Sequence, residues 1–382
     1  MNATELKDSP CGHLVPTVEG QSAFVPDPLP RHVDLTPSLI SQLDKASLAV
    51  GNLAGVGETL PNPHLLITPF LNREAVMSSR IEGTQASMSD VYMFEVSGER
   101  RRAGDTMEVV NYVRALNVGL EMLKGLPICL RLVNQVHARL LEGVRGEDKT
   151  PGEPRRDQNW IGSLGTPIQE ARFIPPPAQS VPDLMSDWER FVNEDVEMPP
   201  LIQCALTHYQ FEAIHPYLDG NGCIGRLLIT LFLCAKRVLP TPLLYLSAYF
   251  ERNRERYYDY LYNVSATGNW EPWLQFFLAG VADQAHDALV RSRRVRDLQE
   301  RYRNVLQARR ESGNALRLLD ELFANPYVTA PRAARLLGIT HAGAQGILKR
   351  LVQAGILEYL SGPWPRWYVA RELFSAIESP TA

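Results

Sequence analysis

The stretch from His215 to Ala235 places the tightest limit on what this chain can fold into. His215-Pro216-Tyr217-Leu218-Asp219-Gly220-Asn221-Gly222 is too rich in Pro, Gly and Asn to stay helical. It runs into Leu227 to Ala235, nine residues interrupted only by Thr230 and bracketed by Arg226 and Lys236. That run is far short of the roughly 20 apolar residues needed to span a bilayer. The spacing predicts a helix ending near Ile214, a loop, a Gly-Asn-Gly turn and then an apolar helix over 222–238. With 45% hydrophobic and 21% charged residues in 382, the chain has an ordinary globular composition. Its length predicts two to three domains at about 150 residues each.

The rest of the chain reads as mainly α. Residues 1–32 are Pro- and Gly-rich and read as an extended tail, laid over a surface or left loose. Helices are expected over 36–53, 72–81, 105–123 and 130–141, with Pro61, Pro63 and Pro69 in a loop. Between 143 and 182 the density of Gly and Pro excludes a long helix. There Asn159-Trp160-Ile161-Gly162 and Ala171-Arg172-Phe173-Ile174 read as two arms of a β-hairpin. Further helices are expected over 183–193, 199–214, 246–266 and 270–310, the last with a break near Gly280. Beyond Ser312-Gly313, three short helices, a strand at 356–360, a Gly362-Pro363 turn and a strand at 366–369 predict a winged helix-turn-helix. The expected division is 1–104, 105–290 and 313–382.

Charge and cysteine usage exclude several classes. The net charge is −4, which leaves no global basic footprint for nucleic acid. Five scattered cysteines without a CxxC pair argue against a disulfide framework or a zinc ribbon. The N-terminus has no apolar signal-like region. A soluble cytoplasmic protein with no membrane partner is expected.

The loop at 215–226 carries the chemistry. Glycines at 220 and 222 allow positive φ, so successive backbone N–H groups can converge on an anion. The helix that starts there adds free amides and the positive end of its dipole. Arg226, in the first turn, leans back toward the same anion. Asp219 beside a phosphate suits Mg2+, and His215 suits a general base near neutral pH. A His-Pro before a Gly-rich turn is also a common helix stop, and both readings stay open on the residues alone.

The same stretch closely resembles the signature of the Fic family, HxFx[D/E]GNGRxxR. The segments at 151–155, 159–162, 173–177 and 249–258 resemble the surroundings of that motif. Ser78-Ser79-Arg80-Ile81-Glu82-Gly83 is similar to the family's inhibitory motif, [S/T]xxxE[G/N]. The resemblance covers about 30–290. It implies a Fic-type helical core with a β-hairpin flap, here followed by the winged helix-turn-helix, and an activity that moves AMP from ATP to a side-chain hydroxyl of a target protein, which could be the chain itself. On this reading the catalytic residues are His215, Asp219, Asn221 and Arg226, with Asp219 holding Mg2+. The nucleotide is held by Gly220, Asn221, Gly222, Cys223, Ile224, Gly225 and Arg226, with Asn253, Tyr257 and Tyr258 as candidates for the adenine and ribose pocket. Trp160, Ile161, Gly162 and Phe173 form the flap on which an extended target segment pairs. Ser78, Glu82 and Gly83 form the inhibitory element, and Glu82 pairs with Arg226.

Two positions depart from the family pattern. Tyr217 stands where Phe is usual. Cys223 stands where the pattern has Arg, which removes a charge-assisted contact of about 1.5–3 kcal/mol and so about 10- to 150-fold in rate. A thiol at a helix N-terminus can also be acidified, which makes a redox-sensitive Cys223 a further expectation. In the tail, Thr340, His341 and Gln345 would face bases, with Lys349, Arg350 and Arg366 on phosphates. The basic helix at 291–310 is expected to be a solvated face. The alternatives to AMP transfer are a DNA-binding regulator whose core only binds nucleotide, and an enzyme that removes AMP using Glu82 to orient water. A homodimer is a further expectation.

Overall fold

A helix with no polar face has to be surrounded, and two such helices stand at the centre of this protein. The structure is a computed structural model that describes residues 3–59, 64–98, 103–162, 165–360 and 366–379. Along the chain, α1 (Ala3–Leu6) precedes a hairpin of β1 (Gly12–Pro16) and β2 (Ser22–Pro26). Then come α2 (Pro37–Thr59), α3 (His64–Ile81), α4 (Met88–Ser97), α5 (Ala103–Met122) and α6 (Leu130–Leu140). The next helices are α7 (Val181–Asn193), α8 (Pro200–Ile214), α9 (Asn221–Ala235), α10 (Ser247–Arg252), α11 (Arg254–Thr267) and the 39-residue α12 (Trp270–Ala308).

Helices α8 and α9 are joined by the 215–220 loop and pack against each other. Every residue from Leu201 to Phe211 is buried, as are Ile224 to Leu233. Around this pair stand α5 and α6 on one side, α3 beside α9, and α12 behind α8. Helix α2 lies along α12. One continuous apolar core runs from Leu29 to Ile377. No described helix is long and apolar enough to cross a membrane.

The C-terminal region contains α13 (Gly313–Ala324), β3 (Tyr327–Thr329), α14 (Ala330–Leu337), α15 (His341–Gln353), β4 (Glu358–Leu360), β5 (Trp367–Val369) and α16 (Arg371–Glu378). The three strands form an antiparallel sheet in the order β3-β5-β4. Gly338, at φ +66°, turns α14 into α15, and Thr340 caps α15 by accepting from the Gly343 amide. This is the connectivity that a winged helix-turn-helix has. The Gly362-Pro363 turn lies outside the described residues. The region is anchored rather than free-standing: Asn325 donates to Tyr92 O and to Glu95, and Tyr327 bonds Ser89, so it rests on α4.

Five expectations need correction. Pro69 lies not in a loop but inside α3, which already begins at His64. Residues 3–26 are laid over the body of the protein rather than left loose, and they form a helix and hairpin instead of an extended tail. The Phe24 amide donates to Ile174 O at 2.9 Å, and the Phe24 ring meets Phe173 at 5.8 Å. The hairpin expected at 159–174 is a single bridge, Ile161 with Phe173, followed by Pro175-Pro176-Pro177, which cannot donate to extend a ladder. Helix α12 has no break at Gly280. A side chain there would collide with the Tyr249 ring, so the glycine serves close packing. Arg291 is buried, not solvated. It donates to Asp287 at 2.7 Å and to the carbonyl of Ile377 near the chain's end.

Candidate active site

The loop between α8 and α9 is shaped by groups that come from far away in sequence. Helix α8 stops at His215, which adopts the left-handed region at φ +51°, unfavourable for a residue with a side chain. The strain is held by a set of donors on the His215 and Tyr217 carbonyls. Arg155 Nε donates to His215 O at 2.9 Å, and the Arg155 amide donates to Pro216 O at 2.8 Å. Asn159 Nδ2 donates to Tyr217 O at 2.8 Å and to His215 O at 3.2 Å. Arg155 is buried, and burial pushes its pKa down to about 10, still charged at neutral pH. In the sequence these residues carry a resemblance and nothing more. No local pattern gave them a role, because their partners lie about 60 positions downstream.

The other wall of the loop is His137. Its Nδ1 accepts from the Gly152 amide at 2.8 Å, which requires Nε2 to carry the proton given to Asp219 O at 3.0 Å. Burial holds this histidine neutral, with a pKa pushed down to about 4. Its ring lies flat on Tyr217 at 3.7 Å, and the Tyr217 hydroxyl donates to Asn134 Oδ1 at 2.6 Å. The tyrosine therefore keeps a buried ring and finds a partner for its extra hydroxyl.

Inside the loop, Asn221 closes a ring on Tyr217, accepting from its amide and donating to its carbonyl, both at 2.8 Å. Its side chain is spent on the loop, so only its backbone amide is left for a ligand. Gly220, at φ +77°, opens α9. The first bond returned within α9 runs from the Ile224 amide to Gly220 O, which leaves the amides of Asn221, Gly222 and Cys223 ahead of it. Asp219 sits beside them, accepting from the Gly220 amide at 2.7 Å. Among the described residues no group of three or more His, Cys, Asp or Glu side chains could cage a metal.

His215 enters the same loop, where the Glu82 charge acts on its ring. Its Nδ1 lies 3.2 Å from Glu212 O, so it donates there and Nε2 is left unprotonated. Burial, with Arg155 acting in the same direction, pushes its pKa down to about 4, so the imidazole is neutral and able to accept a proton. Glu212 lies beneath it and is itself pushed up to about 7 by burial, against the pull of Arg226.

Arg226 is buried in the first part of α9, where Glu82 and Ser78 hold its guanidinium. Its Nη2 donates to Glu82 Oε1 at 2.7 Å, and its Nε donates to Ser78 Oγ at 2.9 Å. Ser78 O accepts a further bond at 3.1 Å. Glu82 arrives just past the end of α3, where Gly83 turns the chain at φ +95°. Its carboxylate lies over Gly222, so close that any side chain there would collide with it. A carboxylate thus occupies the place where the helix start would take an anion.

Cys223 does not behave as an acidified thiol. Its sulfur is buried between Ser78 Oγ at 3.9 Å and Arg226 Nη2 at 3.7 Å, and burial pushes its pKa up to about 12. Desolvation outweighs the nearby guanidinium, so the thiol is not acidified as the sequence reading expected.

The remaining candidates are spread around this centre. Ile224 and Gly225 are buried within α9, Gly225 against Glu212 and His208. Tyr257 is a core residue whose hydroxyl gives its proton to His208 Nε2 at 2.8 Å, while His208 Nδ1 donates to Gly225 O. Tyr258 is only partly buried beside it, and Asn253 donates to Tyr249 O in the break between α10 and α11. In the flap, Trp160 is exposed with its indole N–H on Thr166 O, Ile161 and Phe173 make the bridge, and Gly162 follows. In α15, Lys349 is exposed but Arg350 is paired with Glu311 at 2.8 Å, which leaves the expected phosphate-binding patch one cation short.

Comparison with known proteins now decides the family. Residues 40–121 match the Fic/DOC family N-terminal region, and residues 127–233 match the Fic/DOC family. This is a Fic/DOC family chain. The Fic chain is 31% identical over 151 residues to a protein adenylyltransferase Fic of Culex quinquefasciatus, covering 39% of itself and 27% of that protein. It is 26% identical over 227 residues to a protein of the same name from Drosophila melanogaster, covering 57% of itself and 42% of that one. It therefore spans less than half the length of either. A solved Fic family protein from Desulfovibrio desulfuricans G20 covers 89% of this chain, and 98% of its own, at a TM-score of 0.56 and 20% identity. That likeness establishes the fold, including the mainly helical architecture.

Proposed function

We propose that this Fic chain is a self-inhibited protein adenylyltransferase that moves AMP from ATP to a hydroxyl side chain (Ser, Thr or Tyr) of a target protein, in the cytoplasm. The observation that carries the reading is a neutral, Nδ1-protonated His215 in the loop that leads into the first amides of α9, which no backbone carbonyl of that helix takes up. A polyphosphate bound on those amides brings an α-phosphorus to the imidazole. Nε2 of His215 then takes the proton of the target hydroxyl while its oxygen attacks the α-phosphorus, and pyrophosphate leaves. Little covalent work falls on the protein, so positioning and charge stabilisation dominate. Arg155 and Asn159 serve here by fixing the His215 loop.

Asp219 is the residue that would hold Mg2+. It fits as a single carboxylate beside phosphate oxygens, the ligand set that Mg2+ prefers. When bound, the ion neutralises phosphate charge. Glu82 is the inhibitory group: while it holds Arg226 and lies over Gly222, the terminal phosphate of ATP loses its guanidinium and meets a like charge. Cys223 leaves one cation fewer on the phosphates than the family pattern supplies, which weakens transfer without abolishing it.

The test is incubation with α-phosphate-labelled ATP and Mg2+. The reading expects covalent label on protein that is lost in His215→Ala. Absence of His215-dependent label would refute it, and removal of AMP from a modified protein would favour the reverse hydrolysis instead.

A further inference from the structure

Glu212 is a side chain that neither the motif nor the reaction above employs. It lies in the last turn of α8, three residues before His215, and is nearly buried. Its Oε1 has no hydrogen-bond partner among the described residues, an expensive condition for a carboxylate. The space that Oε1 occupies exists because residue 225 is glycine; a side chain there would collide with it. Its Oε2 lies 4.0 Å from Nδ1 of His215, the nitrogen that also donates to the Glu212 carbonyl.

We propose that Glu212 is the positioning carboxylate of His215, acting across Nδ1 to hold the imidazolium that forms when Nε2 accepts the target's proton. The inference rests on the AMP-transfer reading and deepens it. In the step itself, the target oxygen forms a bond to the α-phosphorus as the α–β bridging bond breaks. The electron pair of that bond leaves with pyrophosphate, and the hydroxyl proton goes to Nε2. The Nδ1 proton stays on the ring, donated to the Glu212 carbonyl, while the Glu212 carboxylate 4.0 Å away acts on the ring by its charge.

Burial makes either charge costlier alone than beside the other. Burial and Arg155 disfavour a lone imidazolium at His215, while burial disfavours a lone carboxylate at Glu212. The charged or titratable groups facing the pair are Arg226 from α9, Glu82 from the end of α3, Arg155 from the loop, and His208 and Tyr257 from α8 and α11. His208 is pushed down to about 3 by burial and stays neutral. Arg226 favours the carboxylate, and Glu82 opposes it. An imidazolium 4 Å away offsets the cost that neither group bears alone, and the titration belongs to the pair. Transfer therefore rises with pH as Glu212 ionises, and the rise moves to lower pH when Glu82, which opposes the carboxylate, is gone.

Two measurements in the Glu82→Gly chain test this. The first is the pH–rate profile of label transfer for Glu212→Gln and Glu212→Asp. Glu212→Gln is expected to lose at least about 10-fold in kcat at pH 8, with KM for ATP within about twofold, and to lose the rise with pH; Glu212→Asp recovers part of both. The second is an NMR titration of the His215 ring in the nucleotide-free chain between pH 5 and 9. The ring signal should show an inflection below the value of about 7 that Glu212 has with Glu82 present, and it should vanish in Glu212→Gln. An inflection absent from the parent or unchanged in Glu212→Gln overturns the inference, as does an unaltered pH–rate profile. If the Glu82→Gly chain transfers no label, the transfer reading fails by itself, while the NMR titration still judges the pair.

Discussion

Replacing Glu82 by Gly should release transfer by an amount that the geometry allows to be worked out. The lock is one charge-assisted hydrogen bond, Arg226 Nη2 to Glu82 Oε1 at 2.7 Å. Bonds with an ionised partner contribute about 1.5–3 kcal/mol. The Glu82 side chain is 36% exposed, so water screens it and the usable part falls to about 1–2 kcal/mol. That corresponds to about 5- to 30-fold in the population whose Arg226 is free to meet a phosphate. Arg226 itself stays placed without Glu82, because Ser78 accepts from both its Nε and its Nη2. The assay is the initial rate of label transfer from α-labelled ATP at subsaturating nucleotide, with Glu82→Gly/His215→Ala as baseline. Glu82→Gln, which keeps the shape but loses the charge, should show most of the same gain. A change below about twofold, in a chain shown by calorimetry to bind ATP, would refute the lock.

Three further outcomes follow from the same contacts. Cys223→Arg, in the Glu82→Gly chain, should raise transfer by about 10- to 150-fold, read by the same label assay; no gain would mean that the missing cation is not what limits the rate. Arg155→Lys removes the planar fork that reaches the carbonyls of His215, Asp157 and Pro176. It should lower kcat by about 10-fold or more while KM for ATP moves less than about twofold. His208→Gln should destabilise the fold in urea melts most at pH 7. The sign follows from burial, which puts native His208 near 3, below the ordinary 6.5. Its contribution is full above 6.5 and is lost as pH falls toward 3, so the penalty of the substitution should shrink toward pH 4.

The parts legible in the sequence were those whose signal is local. The Gly-Asn-Gly turn, the apolar run behind it and the Ser-Glu-Gly spacing at 78–83 can be read without knowing any distant contact. In the structure they meet as α9 with Arg226 on Glu82. What stayed hidden was decided by partners far along the chain. Arg155, Asn159 and His137 gain their roles only because the carbonyls at 215, 217 and 219 fold onto them. The N-terminal hairpin has too few alternating apolar residues to stand alone, and it forms against Ile174 and Phe173. Gly280 looked like a break because a glycine's small size and its flexibility leave the same mark in a sequence. Arg291 looked solvated because its acceptor is Ile377 O, 86 positions away. Glu212 carries no pattern of its own. Its meaning comes from Gly225 making room for it beside His215.

The most direct test of the central claim is a crystal structure of the Glu82→Gly chain soaked with ATP and magnesium. The account predicts phosphate oxygens on the amides of Asn221, Gly222 and Cys223, Arg226 turned to the terminal phosphate, and the α-phosphorus facing Nε2 of His215. A nucleotide bound elsewhere, or with its α-phosphate turned away from His215, would contradict it.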